Sequence, residues 1–151
     1  MMADKMFHTE LIKKCLIVFF ISILVSGCSK EKQEKSADEV AVAFFDAIYN
    51  QKDINQALVL CSERFAKEVK QQRSANQVAR RLFNMSFDSV EIDAALGDKK
   101  LREEFNQEGS LTILFTGLRQ EKLYKDLKKI KMIKQGNVWL VDEILPDPMP
   151  I

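Results

Sequence analysis

The groups able to do chemistry in this 151-residue chain are few and unevenly placed. Its three thiols are Cys15, Cys28 and Cys61, and its single imidazole is His8. Cys28 stands out by its neighbours. An apolar run from Cys15 to Val25 gives way to the small residues Ser26 and Gly27, the thiol comes next, and the polar SKEKQEK follows. Further along, Asp88 and Asp93 are carboxylates on an alternating segment, six lysines crowd positions 122–134, and Phe45, Tyr49, Phe115 and Trp139 are rings able to line a cavity. There is no glycine-rich phosphate loop and no G-x-S-x-G, so neither nucleotide-cradling nor esterase-type chemistry has its usual support.

The run CLIVFFISILV is eleven residues long. A bilayer-spanning helix needs roughly 20, whereas a secretory signal core needs only ~7–15. Lys13 and Lys14 precede the run, supplying the positive flank that stays behind as the apolar part inserts. The start codon is Met1, Met2 or Met6; the last would remove Asp4 and Lys5. Val25-Ser26-Gly27-Cys28 resembles the lipobox of bacterial lipoproteins. That resemblance implies cleavage between Gly27 and Cys28, where small residues admit an extended backbone to the peptidase cleft. It also implies that the Cys28 thiol carries a diacylglyceryl thioether. At about 0.8 kcal/mol per buried methylene, two or more acyl chains anchor a protein stably where one does not. Ser29 after the lipidated cysteine implies, by the same resemblance, the outer membrane facing the periplasm if the host is Gram-negative.

Cleavage changes the chemical inventory. His8 and Cys15 leave with the signal, and lipid takes Cys28, so Cys61 is the one free thiol of the mature chain. Without histidine, a Ser-His-Asp or Cys-His arrangement and the common zinc sites are ruled out. One thiol builds no disulfide or metal cluster, and Cys61 reads best as a small buried apolar residue. No metal and no cofactor are expected. Of 23 Lys+Arg and 22 Asp+Glu, Lys5, Lys13, Lys14, Asp4 and Glu10 leave with the signal, so the mature charges balance. That balance argues against a nucleic-acid partner, which needs a concentrated basic surface.

Elements follow from pattern. Residues 1–27 are signal, 28–35 a lipidated polar tether, 36–145 one domain, and 146–151 a proline-rich tail that cannot join a sheet. Ser36-Ala-Asp-Glu39 is a capping box, with Val40, Phe44, Ala47 and Ile48 on one helical face. Asp53 starts a second helix running through Ile54, Ala57, Leu58 and Cys61; Ser62 and Ser74 start two more. Arg73, Arg80 and Arg81 read as the wet face of the last helical region. The period then becomes two, giving strands over 86–95, Ser110 to Leu118, Leu127 to Lys134 and Val138 to Leu145, with Lys99 to Glu108 a charged loop or short helix. The nearly continuous apolar SLTILFTGL predicts a central strand covered on both faces. Gly136 supplies the turn before the last strand. The fold class expected is α+β, with N-terminal helices packed on a curved, mostly antiparallel sheet.

The opening AVAFFDAIYNQKDINQALVLC and the closing MIKQGNVWLVDEIL resemble the nuclear-transport-factor-2-like superfamily over roughly Ser36 to Leu145. The resemblance implies a cone-like fold with a pocket, for which Phe45, Tyr49, Phe115 and Trp139 are the candidate lining. That superfamily holds both enzymes and binding proteins, so fold alone assigns no activity. Its isomerases use a helix-1 tyrosine five residues before the turn asparagine, a position taken here by Phe45, counted back from Asn50. Phe45 has no hydroxyl to stabilise an oxyanion, and no catalytic residue is assigned. Lys122, Lys125, Lys128, Lys129, Lys131 and Lys134 suggest either a patch for anionic lipid or an acidic partner, or a solvated strand face, which the balanced charge favours. The expectation is therefore a lipid-anchored envelope protein, non-catalytic, that binds or scaffolds a protein partner. The alternative is a carrier or sensor of a small apolar ligand, and a carboxylate-dependent isomerase-like enzyme comes third.

Overall fold

The computed structural model describes residues 35–95 and 107–146. The expected signal segment, Cys28 with nearly all of the expected tether, the charged stretch before Gln107 and the tail after Pro146 lie outside the described residues. Helix α1 (Ala37–Tyr49) opens the domain, and the Ser36 N–H donates to Glu39 Oε2 at 2.9 Å, the return arm of the expected capping box. Asp53 caps α2 (Ile54–Leu58), accepting from the Asn55 and Gln56 N–H groups. Ser62 caps α3 (Glu63–Gln71) and Ser74 caps α4 (Ala75–Arg81), each accepting from the third residue of its helix. All four expected starts are used. One helix is shorter than its pattern: α2 stops at Leu58, and Cys61 instead forms a parallel bridge with Val141.

Four strands, β1 (Ser89–Ala94), β2 (Glu108–Arg119), β3 (Lys122–Gln135) and β4 (Val138–Ile144), form one antiparallel sheet in sequence order. The fold is thus α+β: helices first, then an open, curved meander. A register shift at Lys131/Met132 bends the β3–β4 pair. β3 runs longer than the sequence pattern suggests, because it begins five residues before Leu127, straight after a two-residue hairpin turn. Gln120 and Glu121 make that turn with φ of 52° and 63°, the left-handed pair that a twisted hairpin requires. Neither residue favours that conformation. The Asp88 carboxylate compensates by accepting the Gln120 N–H at 2.8 Å. At the other hairpin Gly136 supplies φ of +61°, as the sequence predicts.

The described helices cover one face of the sheet only. Leu111, Ile113, Phe115, Ile130, Met132 and Val141 point into the core with Val40, Phe44, Phe45, Ile48, Phe65, Val69, Val78 and Phe83. β2 alternates accordingly, with Thr112, Leu114 and Thr116 only half-buried on its far side. The expectation of a strand covered on both faces is corrected here: the apolar run is continuous, but its second face looks outward. The β4 edge is closed by Leu60–Ser62, where the Val141 N–H donates to Leu60 O and the Ser62 N–H to Val141 O.

Candidate functional site

Three of the four candidate pocket aromatics meet inside the domain. Phe45 and Phe115 are buried with centroids 4.9 Å apart and rings perpendicular, and Tyr49 lies 5.6 Å from Phe115. These are edge-to-face contacts of the kind that fill cores. The Tyr49 hydroxyl donates to Met85 O at 3.3 Å, and burial, with the Asp126 charge adding to it, holds its phenol well above the usual range. Phe87 stacks on Phe115 at 6.3 Å, crossing β2 where Gly117 leaves room. A Cβ at Gly117 would come within 2.6 Å of Phe87 and 2.7 Å of Ser89 O. Trp139 sits apart from these rings, half-buried near the Gly136 turn, with Lys134 Nζ 5.9 Å from its ring centroid.

Among the described residues, two clefts are found on the helix side. One, about 260 Å³, has Tyr49, Ala79 and Phe87 as its floor and Lys52, Asn76, Arg80 and Ser86 at its mouth. The other, about 370 Å³, lies between α3 and the end of β4. Phe65, Leu82, Phe83 and Ile144 give it apolar walls, and Arg64, Glu68, Lys128 and Glu143 give it charge. Beside it stands the buried Asp142 carboxylate. Its Oδ1 accepts from the Ser62 hydroxyl at 2.7 Å, and its Oδ2 from Arg64 at 2.9 Å. Arg64 also donates to Asp142 O at 2.7 Å and to Glu143 at 3.2 Å. Burial acts to raise the Asp142 pKa, but the Arg64 and Ser62 bonds outweigh it and hold the carboxyl below its ordinary value. This network ties α3 to β4, and its donors are already engaged.

Of the other sequence candidates, Asp88 is spent on the β2–β3 turn and Asp93 is exposed on β1. The lysine cluster divides by strand alternation. Lys128 is buried on the helix side, whereas Lys125, Lys129 and Lys131 share the far face, with Lys131 3.0 Å from Glu108. Among the described residues no group of three His, Cys, Asp or Glu side chains is placed to hold a metal ion. No described helix is long and apolar enough to cross a membrane.

The far face of the sheet is what sequence reasoning missed. Cross-strand register puts Leu118 beside Leu123 and Leu114 beside Leu127. Leu118, Leu123 and Leu127 are 42%, 65% and 52% exposed, and Val138 on β4 is 58% exposed. Ile133 and Leu140, paired in register, extend the same face. The signal is present as leucine at every fourth position, Leu114 and Leu118 on β2 and Leu123 and Leu127 on β3, with Thr116 and Lys125 between them, but in the sequence it is indistinguishable from a buried strand beside a lysine patch. Exposed contiguous apolar surface of this kind marks interaction sites more often than accident.

Compared with known proteins, the chain matches no family and no curated protein.

Proposed function

We propose that this protein is exported, cleaved before Cys28, acylated on that thiol and held at the cell envelope, where it acts as a non-catalytic binding module for a protein partner. The observation that carries the binding part is the exposed leucine face of β2 and β3, on the side of the sheet that the helices leave open. The order of helices and meander, with the chain closing on the β4 edge at Cys61, supports the finer reading of a cone-like, nuclear-transport-factor-2-like domain. The envelope reading rests on the lipobox-like VSGC and the charged tether after it.

Two variants test these parts separately. Cys28→Ala should abolish labelling by radioactive palmitate and release the protein from membranes; persistent labelling would sink the anchor. A photocrosslinking residue at Leu127 should capture a discrete protein species in the native envelope, while the same probe at Lys67, on exposed α3, should not. Equal capture at both positions would remove the case for the sheet face.

A second reading, storage of a small apolar ligand, draws on the cleft of about 370 Å³, which falls within the ~300–1,000 Å³ of ordinary ligand sites. Native mass spectrometry of protein from its own host decides it, since storage requires a retained small mass.

A further inference from the structure

The open face of the sheet is not uniformly apolar, and its charges lie in bands. The register places Glu91 on β1, Thr116 on β2 and Lys125 on β3 in one row across the strands. The next row along is Asp93, Leu114 and Leu127, and the row on the other side is Ser89, Leu118 and Leu123. The face therefore reads acidic along β1, apolar along the middle, and basic along β3 through Lys125 and Lys129. An anionic bilayer would meet Glu91, Asp93 and Glu108 as well as the lysines on this face, so a lipid surface is poorly matched.

We infer that the partner of this face is a second copy of the same chain, packed sheet to sheet about a two-fold axis that runs between β2 and β3. This rests on the docking reading above and names its occupant. A two-fold contact is isologous, so each surface must complement itself. Rotation about that axis lays β2 of one copy over β3 of the other with the rows kept level. Leu114 then meets the second copy's Leu127, and Leu118 meets its Leu123, each contact made twice. Lys125 of the second copy arrives over Thr116, beside Glu91. Sheets packed face to face stand ~10 Å apart, within reach of leucine on leucine and of lysine to a neighbouring carboxylate. The face is of modest size. From the Leu118 row to the Ile133 row is roughly 30 Å at about 3.3 Å per residue, but β1 flanks β2 only from Ile113 to Leu118 and β4 flanks β3 only from Ile130 to Gln135, so the face is three strands, about 14 Å, wide at any row and on the order of 400 Å² in projection per copy. A standard interface buries roughly 800 Å² of accessible surface per partner; side-chain relief brings this face towards the smaller, reversible end of that class, in keeping with an association that one charge reversal weakens. Burying these leucines also removes a large apolar area that the described helices leave wet.

The test uses the full lipidated chain purified in detergent, with self-association followed by sedimentation. Lys125→Glu should weaken association roughly tenfold by setting like charges beside Glu91 twice per dimer, and adding Glu91→Lys to that chain should restore it. Leu127→Asp should abolish association, while its thermal unfolding stays near that of the parent because the position is exposed. Two tagged copies, one carrying Leu114→Cys and the other Leu127→Cys, should be joined into a mixed dimer by a short bis-maleimide in the envelope, since facing Cα atoms ~10 Å apart lie beyond the reach of a disulfide but within that of such a linker. A monomeric parent and no mixed crosslinked dimer overturn the second copy as occupant. If a Leu127 photocrosslinker then captures a different protein, the docking reading survives alone; if it captures none, both fall. Restoration failing in the double charge variant would overturn the proposed axis.

Discussion

Ser62→Ala is the most revealing single change in the domain. Ser62 is only 2% exposed, and its hydroxyl does two jobs. It accepts the Phe65 N–H at 3.1 Å to cap α3, and it donates to Asp142 Oδ1 at 2.7 Å. Loss of a serine cap costs about 1 kcal/mol. Loss of a hydrogen bond to a buried carboxylate costs a further ~1.5–3 kcal/mol, and the lower end applies because Arg64 still holds the other oxygen at 2.9 Å. The sum is about 2.5 kcal/mol at pH 7. Ser74→Ala is the internal control, since Ser74 caps α4 by accepting the Gln77 N–H at 3.3 Å; it should cost only about 1 kcal/mol. At roughly 4 °C per kcal/mol for a domain of this size, the midpoints should fall by about 10 °C and about 4 °C. The pH dependence separates the two jobs. Asp142 has a folded pKa below its unfolded value, so its bonds stabilise fully above the unfolded value of about 3.9 and fade as pH falls through the folded one. The excess cost of Ser62→Ala over Ser74→Ala should therefore be present at pH 7 and shrink towards pH 3. Thermal denaturation followed by circular dichroism at both pH values measures it. Equal losses in the two variants at pH 7, or an excess that does not change with pH, would refute the reasoning.

Three further outcomes are expected. Gly117→Ala should destabilise by about 2 kcal/mol or more, read from the urea midpoint, because the new methyl meets a backbone carbonyl at 2.7 Å as well as the Phe87 ring. Replacing Gln120-Glu121 by Asn-Gly should stabilise by about 1 kcal/mol in the same assay, since both positions have positive φ and the Gln120 N–H bond to Asp88 is kept. The Cys61 thiol, whose pKa burial pushes up to about 12, should resist maleimide at pH 8 in the folded protein and react once urea unfolds it, as peptide mapping would show.

What the sequence made legible was local. Ser36, Asp53, Ser62 and Ser74 announce their helices because a cap needs only a side-chain oxygen and the next three residues. Gly136 announces its hairpin for the same reason. The Gln120-Glu121 turn was hidden because its stabilising group, Asp88, lies 32 residues away, and no local preference points to it. Cys61 fitted the helical spacing of Ile54 and Leu58, yet its burial comes from the bridge to Val141, a tertiary contact. The aromatics were recognised as inward-facing, but spacing does not say whether rings meet each other or a void. Phe45, Tyr49 and Phe115 meet each other. Leu114 and Leu127 looked like core because leucine usually is, and the sheet needed to be assembled before their shared outward face was visible.

The proposed docking surface requires the leucine face of the sheet to be covered at the envelope. Thiol-labelling of single-cysteine variants in intact envelopes tests it most directly. Leu127→Cys should react at least tenfold more slowly there than Val59→Cys, a position 74% exposed on the helix side of the chain, and the difference should vanish when both are labelled in urea. Equal labelling of Leu127→Cys and Val59→Cys in the envelope would contradict the claim.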